Sequence, residues 1–290
     1  MQAPFDGALR GWGNSLMSYK DQLNKHLVRY KKSHPELGSV ARGTFTHRGI
    51  EREYDHILPR SEQWSNLIEP ARAYARRYLA THPGVALHTY FRHLNSSQAF
   101  TFNLFLPFFC GESIGSSALL RALGQWGEVT NWEFETVPVP GEDTNVDVLW
   151  DSSIGPRTYC EVKLSEADFG TAANDEAHND KLRSIYSKSL IGQVDAILLE
   201  PTTFFDHYQL LRNLWQIVGS QDARLIFLLP RANKRIWKDA TLFKLRVAQS
   251  LRERVTVVAI EDVILGLCED NRCPDSLKQH AQLLRAKYIF

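Results

Sequence analysis

Cysteine is scarce. There are four in 290 residues, none at a zinc-ligand spacing, so neither a disulfide framework nor a zinc finger organises this chain. Cys268 and Cys273 are too loosely spaced to claim a metal without partners, and reduced thiols of this kind suit a cytoplasmic protein. Long apolar runs are missing too: the longest, around 100–110 and 225–230, fall far short of the roughly 20 residues of a membrane span. Asp6 stands early and no apolar segment follows it, so the start of the sequence does not read as a signal peptide. There is no internal repeat and no low-complexity tract. Net charge is almost absent, 34 basic against 33 acidic residues, so bulk charge alone does not point to nucleic acid. What remains is a globular composition, 43% apolar, enough for one large domain or a core with a smaller N-terminal region.

The charge that is present is unevenly placed. Basic residues crowd 20–32, 72–77 and above all 231–254, where Arg231, Lys234, Arg235, Lys238, Lys244, Arg246, Arg252 and Arg254 are interleaved with Trp237 and Phe243. A surface that tracks phosphates has this character, and a solvated helix face is the plainer alternative.

Along the chain, 14–32 reads as a polar amphipathic helix, 35–65 as loop, and 68–81 as helix before the break at Pro83-Gly84. Asn95-Ser96-Ser97 offers caps for a helix over 98–106, which Pro107 and Gly111 interrupt, and 116–126 forms the next helical segment. Three strand-like stretches follow at 129–137, 145–150 and 157–163, with Gly141-Glu142-Asp143 between the first two. After a polar loop at 170–181 come a short apolar run (194–199), a helix (204–218), a buried strand (224–229), a basic helix (238–252), a strand (255–260), and helix from Asp275. That order predicts an α/β fold, a mixed central sheet flanked by helices on both faces. It divides into an N-terminal helical and loop extension, 1–90, and a core with C-terminal helices, 91–290.

The chemistry concentrates in the middle. In Thr144-Asn145-Val146-Asp147-Val148-Leu149-Trp150 an acid sits inside an apolar strand; Thr158-Tyr159-Cys160-Glu161-Val162-Lys163 follows. Alternation sends Glu161 and Lys163 to one face, and a hairpin turning over 151–157 lets Asp147 reach it. Two carboxylates and an ammonium together would hold a divalent metal and a phosphate, as a metal-dependent phosphodiesterase requires.

Asp147, thirteen intervening residues and then Glu161-Val162-Lys163 resembles the PD-(D/E)xK phosphodiesterase superfamily, with its restriction-endonuclease-like fold. Leu94-Asn95-Ser96-Ser97-Gln98-Ala99-Phe100-Thr101-Phe102-Asn103 and Tyr208-Gln209-Leu210-Leu211-Arg212-Asn213 are similar to a bacterial restriction-type nuclease subgroup, as is Glu53-Tyr54-Asp55-His56-Ile57-Leu58-Pro59. Val146 stands where the superfamily's name has proline, at a position that varies within it. The resemblance implies Mg²⁺ (or Mn²⁺) on Asp147 and Glu161, with Lys163 orienting the attacking water or offsetting phosphate charge. It implies catalytic support from Gln98 and Gln209, phosphate contact by Arg212, and DNA as partner. Lys234, Arg235 and Lys238 are the basic residues expected to touch DNA, and a duplex cutter would pair two copies as a homodimer.

Two other readings compete. A non-cleaving nucleic-acid-binding module would keep the fold without the reaction. Gly111-Glu112-Ser113-Ile114-Gly115 matches the nucleophile elbow of a serine hydrolase, with Asp206 or Asp262 and His280 as later partners, though too few strands precede it. His178, in the polar loop after the motif, reads as an exposed loop histidine or a group approaching substrate.

Overall fold

Alternation along β-strands dictates the main layer. In the computed structural model, which describes residues 17–111, 113–137 and 145–290, five strands form one mixed sheet and lie side by side in the order they follow along the chain. The chain begins with α1 (Tyr19–Ser33), capped by Ser18, then β1 (Gly43–His47), β2 (Ile50–Tyr54), α2 (Ala71–Thr81), α3 (Ser97–Phe109) and α4 (Ser113–Ala122). The sheet follows as β3 (Val129–Thr136), β4 (Val146–Ser152) and β5 (Arg157–Val162), all antiparallel. Short helices α5 (Glu176–Lys181), α6 (Ser187–Leu190) and α7 (Pro201–Phe204), then α8 (Tyr208–Val218), cross over to β6 (Ala223–Leu229), parallel to β5. Helices α9 (Lys234–Leu245) and α10 (Gln249–Arg252) lead to β7 (Val255–Ala259), parallel to β6, and α11 (Ile260–Glu269) and α12 (Asp275–Tyr288) complete the fold.

The two faces of the sheet bury different partners. Val148, Trp150, Cys160, Val162, Ile226 and Leu228 join a core with Phe100, Phe105, Leu119, Val263 and Leu284 from α3, α4, α11 and α12; Leu23 and Leu27 of α1 belong to it. Leu149, Tyr159, Leu225 and Phe227 join the opposite core with Leu211 and Leu214 of α8 and Phe243 of α9. The period of two within β4, β5 and β6 is what divides them. Phe134 is fully buried against the rings of Phe102, Tyr78 and Trp132, and truncating it to alanine would cost about 3–5 kcal/mol.

Several segments depart from the sequence reading. The supposed loop over 35–65 contains the β1–β2 hairpin, closed by Arg48 and Gly49, both at positive φ (50° and 78°), as a two-residue turn requires. A 3₁₀ turn, Arg60–Asn66, follows it. Pro107 does not interrupt α3. It costs the bond to the carbonyl of Asn103, and that oxygen accepts a hydrogen bond from His280 Nε2 at 2.8 Å instead. The polar 170–181 stretch includes α5, and the apolar run at 194–199 contains a 3₁₀ turn, Ala196–Leu199. The helix expected over 204–218 begins with shorter turns before α8. The basic helix is two, broken before Gln249, and α11 starts directly off β7. The Gly141–Asp143 turn, Thr144, and the start of the first helix at 14–16 lie outside the described residues. Among the described residues no helix is long and apolar enough to cross a membrane.

Candidate active site

β4 and β5 pair through Val148–Cys160, Leu149–Tyr159 and Trp150–Thr158, and the Arg157–Asp151 ion pair (2.7 Å) sits at the turn end. One step beyond the last rung, toward the other end, Asp147 comes abreast of Glu161. Asp147 Oδ2 accepts the Val162 N–H at 2.7 Å. Glu161 is buried (2% exposed), and Lys163 Nζ lies 2.8 Å from its Oε1. Gln209, reaching in from α8, donates Nε2 to Glu161 Oε1 (2.7 Å) and accepts from Lys163 Nζ (3.3 Å). Glu161, Lys163 and Gln209 thus form a closed ring of polar contacts. Gly170 makes room for it: its φ is +96°, and a Cβ there would stand 2.9 Å from Gln209 Oε1.

The second glutamine serves a different acid. Gln98, in the first turn of α3, donates to Glu135 Oε1 (3.0 Å) and to the Ala86 carbonyl (3.0 Å), and accepts the His88 N–H (2.8 Å). Glu135 sits near the end of β3 at φ +50°, a left-handed conformation rare for glutamate. A fourth carboxylate, Glu166, accepts the N–H groups of Leu164 and Ser165, each at 2.8 Å, and the Ser97 hydroxyl. It thereby ties the start of α3 to the segment leaving β5.

The electrostatics follow from this crowding. Burial raises the pKa of Asp147 well above the usual carboxylate range, and the Glu161 charge adds to it. Burial raises Glu135 as well, opposed by the Gln98 hydrogen bond. For Lys163 burial works downward, yet Glu161, Asp147 and Glu166 outweigh it and hold the ammonium charged above its ordinary range. Four carboxylates around one ammonium leave a surplus of negative charge and an all-oxygen donor set, which suits a hard divalent cation. Among the described residues no group of three or more His, Cys, Asp or Glu is gathered closely enough to hold a metal by itself. A two-carboxylate site completed by water is compatible with that.

Asp147, Glu135, Lys163, Gln98 and Glu166 line a cleft of about 730 Å³; Glu161 and Gln209 stand behind its lining. Arg212 is not in the lining, and its Nε is buried without a hydrogen-bond partner. Lys234, Arg235 and Lys238 are exposed on α9, outside the cleft. Asn233, just before that helix, donates to the Glu166 carbonyl (2.8 Å), so the basic helix starts beside the site; Arg235 also lies 3.8 Å from Asp168.

The serine-hydrolase reading fails on geometry. Helix α3, not a strand, precedes Ser113, which lies exposed in α4; Glu112 of that motif is outside the described residues. Two of the three proposed partners are engaged elsewhere, His280 on Asn103 and Asp262 on Arg231. His178 is not a loop histidine. It lies on α5, with Nδ1 2.8 Å from the capping Asp175. All four cysteines are unpaired. Sequence reasoning missed Glu135 and Glu166, and the only signal for either was an acid beside a strand end.

A mixed five-stranded sheet with an aspartate and a Glu-x-Lys pair meeting across one hairpin, beside a cleft, is the fold of a restriction-endonuclease-like protein. A family model described as "restriction endonuclease associating with ARP" matches residues 19–289, and the chain belongs to that family. No curated protein and no solved structure matches it significantly.

Proposed function

We propose that the protein is a Mg²⁺-dependent endonuclease that hydrolyses phosphodiester bonds in DNA, of restriction or defence type. The observation that carries this reading is the 2.8 Å Lys163–Glu161 pair with Asp147 bonded to the intervening Val162 N–H. Asp147 and Glu161 would hold Mg²⁺ (or Mn²⁺), which when bound supplies charge stabilisation and a more acidic water. Lys163 places its ammonium where charge develops on the phosphate oxygens, or where the attacking water must be oriented. Gln209 fixes the rotamers of both Glu161 and Lys163, and Gln98 holds Glu135 at the cleft wall. Lys234, Arg235, Lys238 and Arg212 are read as phosphate contacts.

The family's description also gives this chain an expected associate, ARP. A duplex cut needs a second site, which a homodimer would supply; sedimentation with and without DNA checks that. Four unpaired cysteines support a cytoplasmic setting.

The test is plasmid cleavage in Mg²⁺ or Mn²⁺ beside EDTA and Lys163→Ala controls. Metal-dependent cutting lost in the variant supports the nuclease. DNA retardation on a gel with no cutting of any substrate favours a binding module of the same fold.

A further inference from the structure

The proposed hydrolysis uses Asp147 and Lys163 of the cleft lining. Another stretch of that lining comes from a different part of the chain, and its character is aromatic. The β1–β2 hairpin brings in Phe45, and the 88–95 segment brings in Tyr90 and His93. Their three rings meet mutually, with centroids 5.5 Å (Phe45–Tyr90), 5.3 Å (Phe45–His93) and 5.2 Å (Tyr90–His93) apart. Tyr54 and His56 extend this wall: Tyr54 packs edge-on against His56 at 5.7 Å, and His56 against His93 at 6.3 Å. All five line the same cleft as Asp147 and Lys163.

One observation says this wall is open to a ligand. Tyr90 is 45% exposed although it belongs to a ring cluster, and it lines the cleft. These histidines form no metal-holding group among the described residues. His93 is only 8% exposed, and burial pushes it down to about 4, so it packs against Tyr90 and Phe45 as a neutral ring. Lys20, exposed on α1, lines the cleft too and places a cation near the rings.

An exposed aromatic ring backed by other packed rings, with a cation near it, fits a planar heteroaromatic that carries a phosphate. We propose that this part of the cleft binds an unstacked nucleobase near the scissile phosphate, stacked on Tyr90, with Phe45 and His93 holding that ring in place from behind. The proposal rests on the nuclease reading for the phosphate end. A base inside a matched duplex has both faces already stacked, so it cannot stack there. The nucleotide must come from a single strand or be extruded from a weakened duplex.

The experiment measures binding, in EDTA, of one fluorescein-labelled oligonucleotide as a single strand, as a matched duplex, and as a duplex with one central mismatch. The expected result is that the single strand or the mismatched duplex binds about 10-fold tighter than the matched one, that Tyr90→Ala or Phe45→Ala removes most of that difference, and that Lys163→Ala keeps it. Preference for the strand names single-stranded substrate; preference for the mismatch alone names extrusion. Equal binding of all three probes, or a preference that survives both Tyr90→Ala and Phe45→Ala, overturns the proposal. If metal-dependent cutting still disappears in Lys163→Ala, the nuclease reading survives that failure. Binding to no probe overturns the proposal, and absence of cutting as well removes the nuclease reading with it.

Discussion

Lys163 and Lys287 are both largely withdrawn from solvent, and their surroundings are opposite. Lys163 is packed among carboxylates, 2.8 Å from Glu161, with its charge favoured. Lys287, on α12, is 1% exposed and has only neutral acceptors, the Asn66 carbonyl at 2.5 Å and the Asn66 Oδ1 at 2.9 Å; burial pushes it down to about 7. The first lies in a cluster with more negative charge than it can neutralise. The second completes a satisfied network, in which Asn66 donates to the carbonyls of Phe91 and His93 (2.7 Å each) and Asn103 bonds Asn66, Ile68 and Tyr288. Burial alone therefore does not single out a candidate catalytic lysine. An unbalanced set of neighbours points to one.

The largest effect expected from breaking this contrast is at Lys163. Lys163→Ala should lower cleavage at least about 100-fold while circular dichroism and the unfolding midpoint stay near wild type. Loss of folding with it would make Lys163 another Lys287. Gly170→Ala should come next. A Cβ at φ +96° strains the backbone and presses on Gln209, so kcat should fall about 10-fold at unchanged KM, with about 1 kcal/mol lost from stability.

The third concerns pH. Below about pH 7 Lys287 is charged in both folded and unfolded chains, and the folded state bears the full penalty of burying it. Between there and the ordinary lysine value near 10.4 only the unfolded chain holds the proton, so stability rises with pH, by up to about 1.4 kcal/mol per unit. Urea midpoints measured over that window should climb for wild type and stay flat for Lys287→Met. The smallest change belongs to the exposed helix. Alanine at Lys234, Arg235 or Lys238 should weaken DNA binding slightly and reduce the salt slope by roughly 0.7–0.9 per residue.

The parts of this molecule legible in the sequence are those set by neighbours along the chain. Strand-like runs at 145–150 and 157–163 led to the expected hairpin, and the apolar runs at 224–229 and 255–260 placed β6 and β7. The resemblance drew attention to Gln98 and Gln209. It did not show that they serve different acids, because Gln98–Glu135 and Gln209–Glu161 are contacts between distant segments. Glu135, Glu166 and the ring wall were invisible for the same reason. The β1–β2 hairpin escaped because Arg48-Gly49 lacks the usual Asn-Gly signature and its strands are largely exposed. Helix α3 ran past Pro107 because a histidine some 170 residues downstream takes the freed carbonyl.

That long-range network bears on the order in which the protein becomes competent. Lys287 grips Asn66, and Asn66 grips the carbonyls on either side of Arg92, which carry the Phe91–His93 segment of the cleft wall. A ribosome that has released residues up to β7 has already made every charged group of the candidate site. The clamp behind the aromatic wall is missing until α12 emerges. A nascent chain would therefore carry its acids and lysine for some time before that wall is held in place.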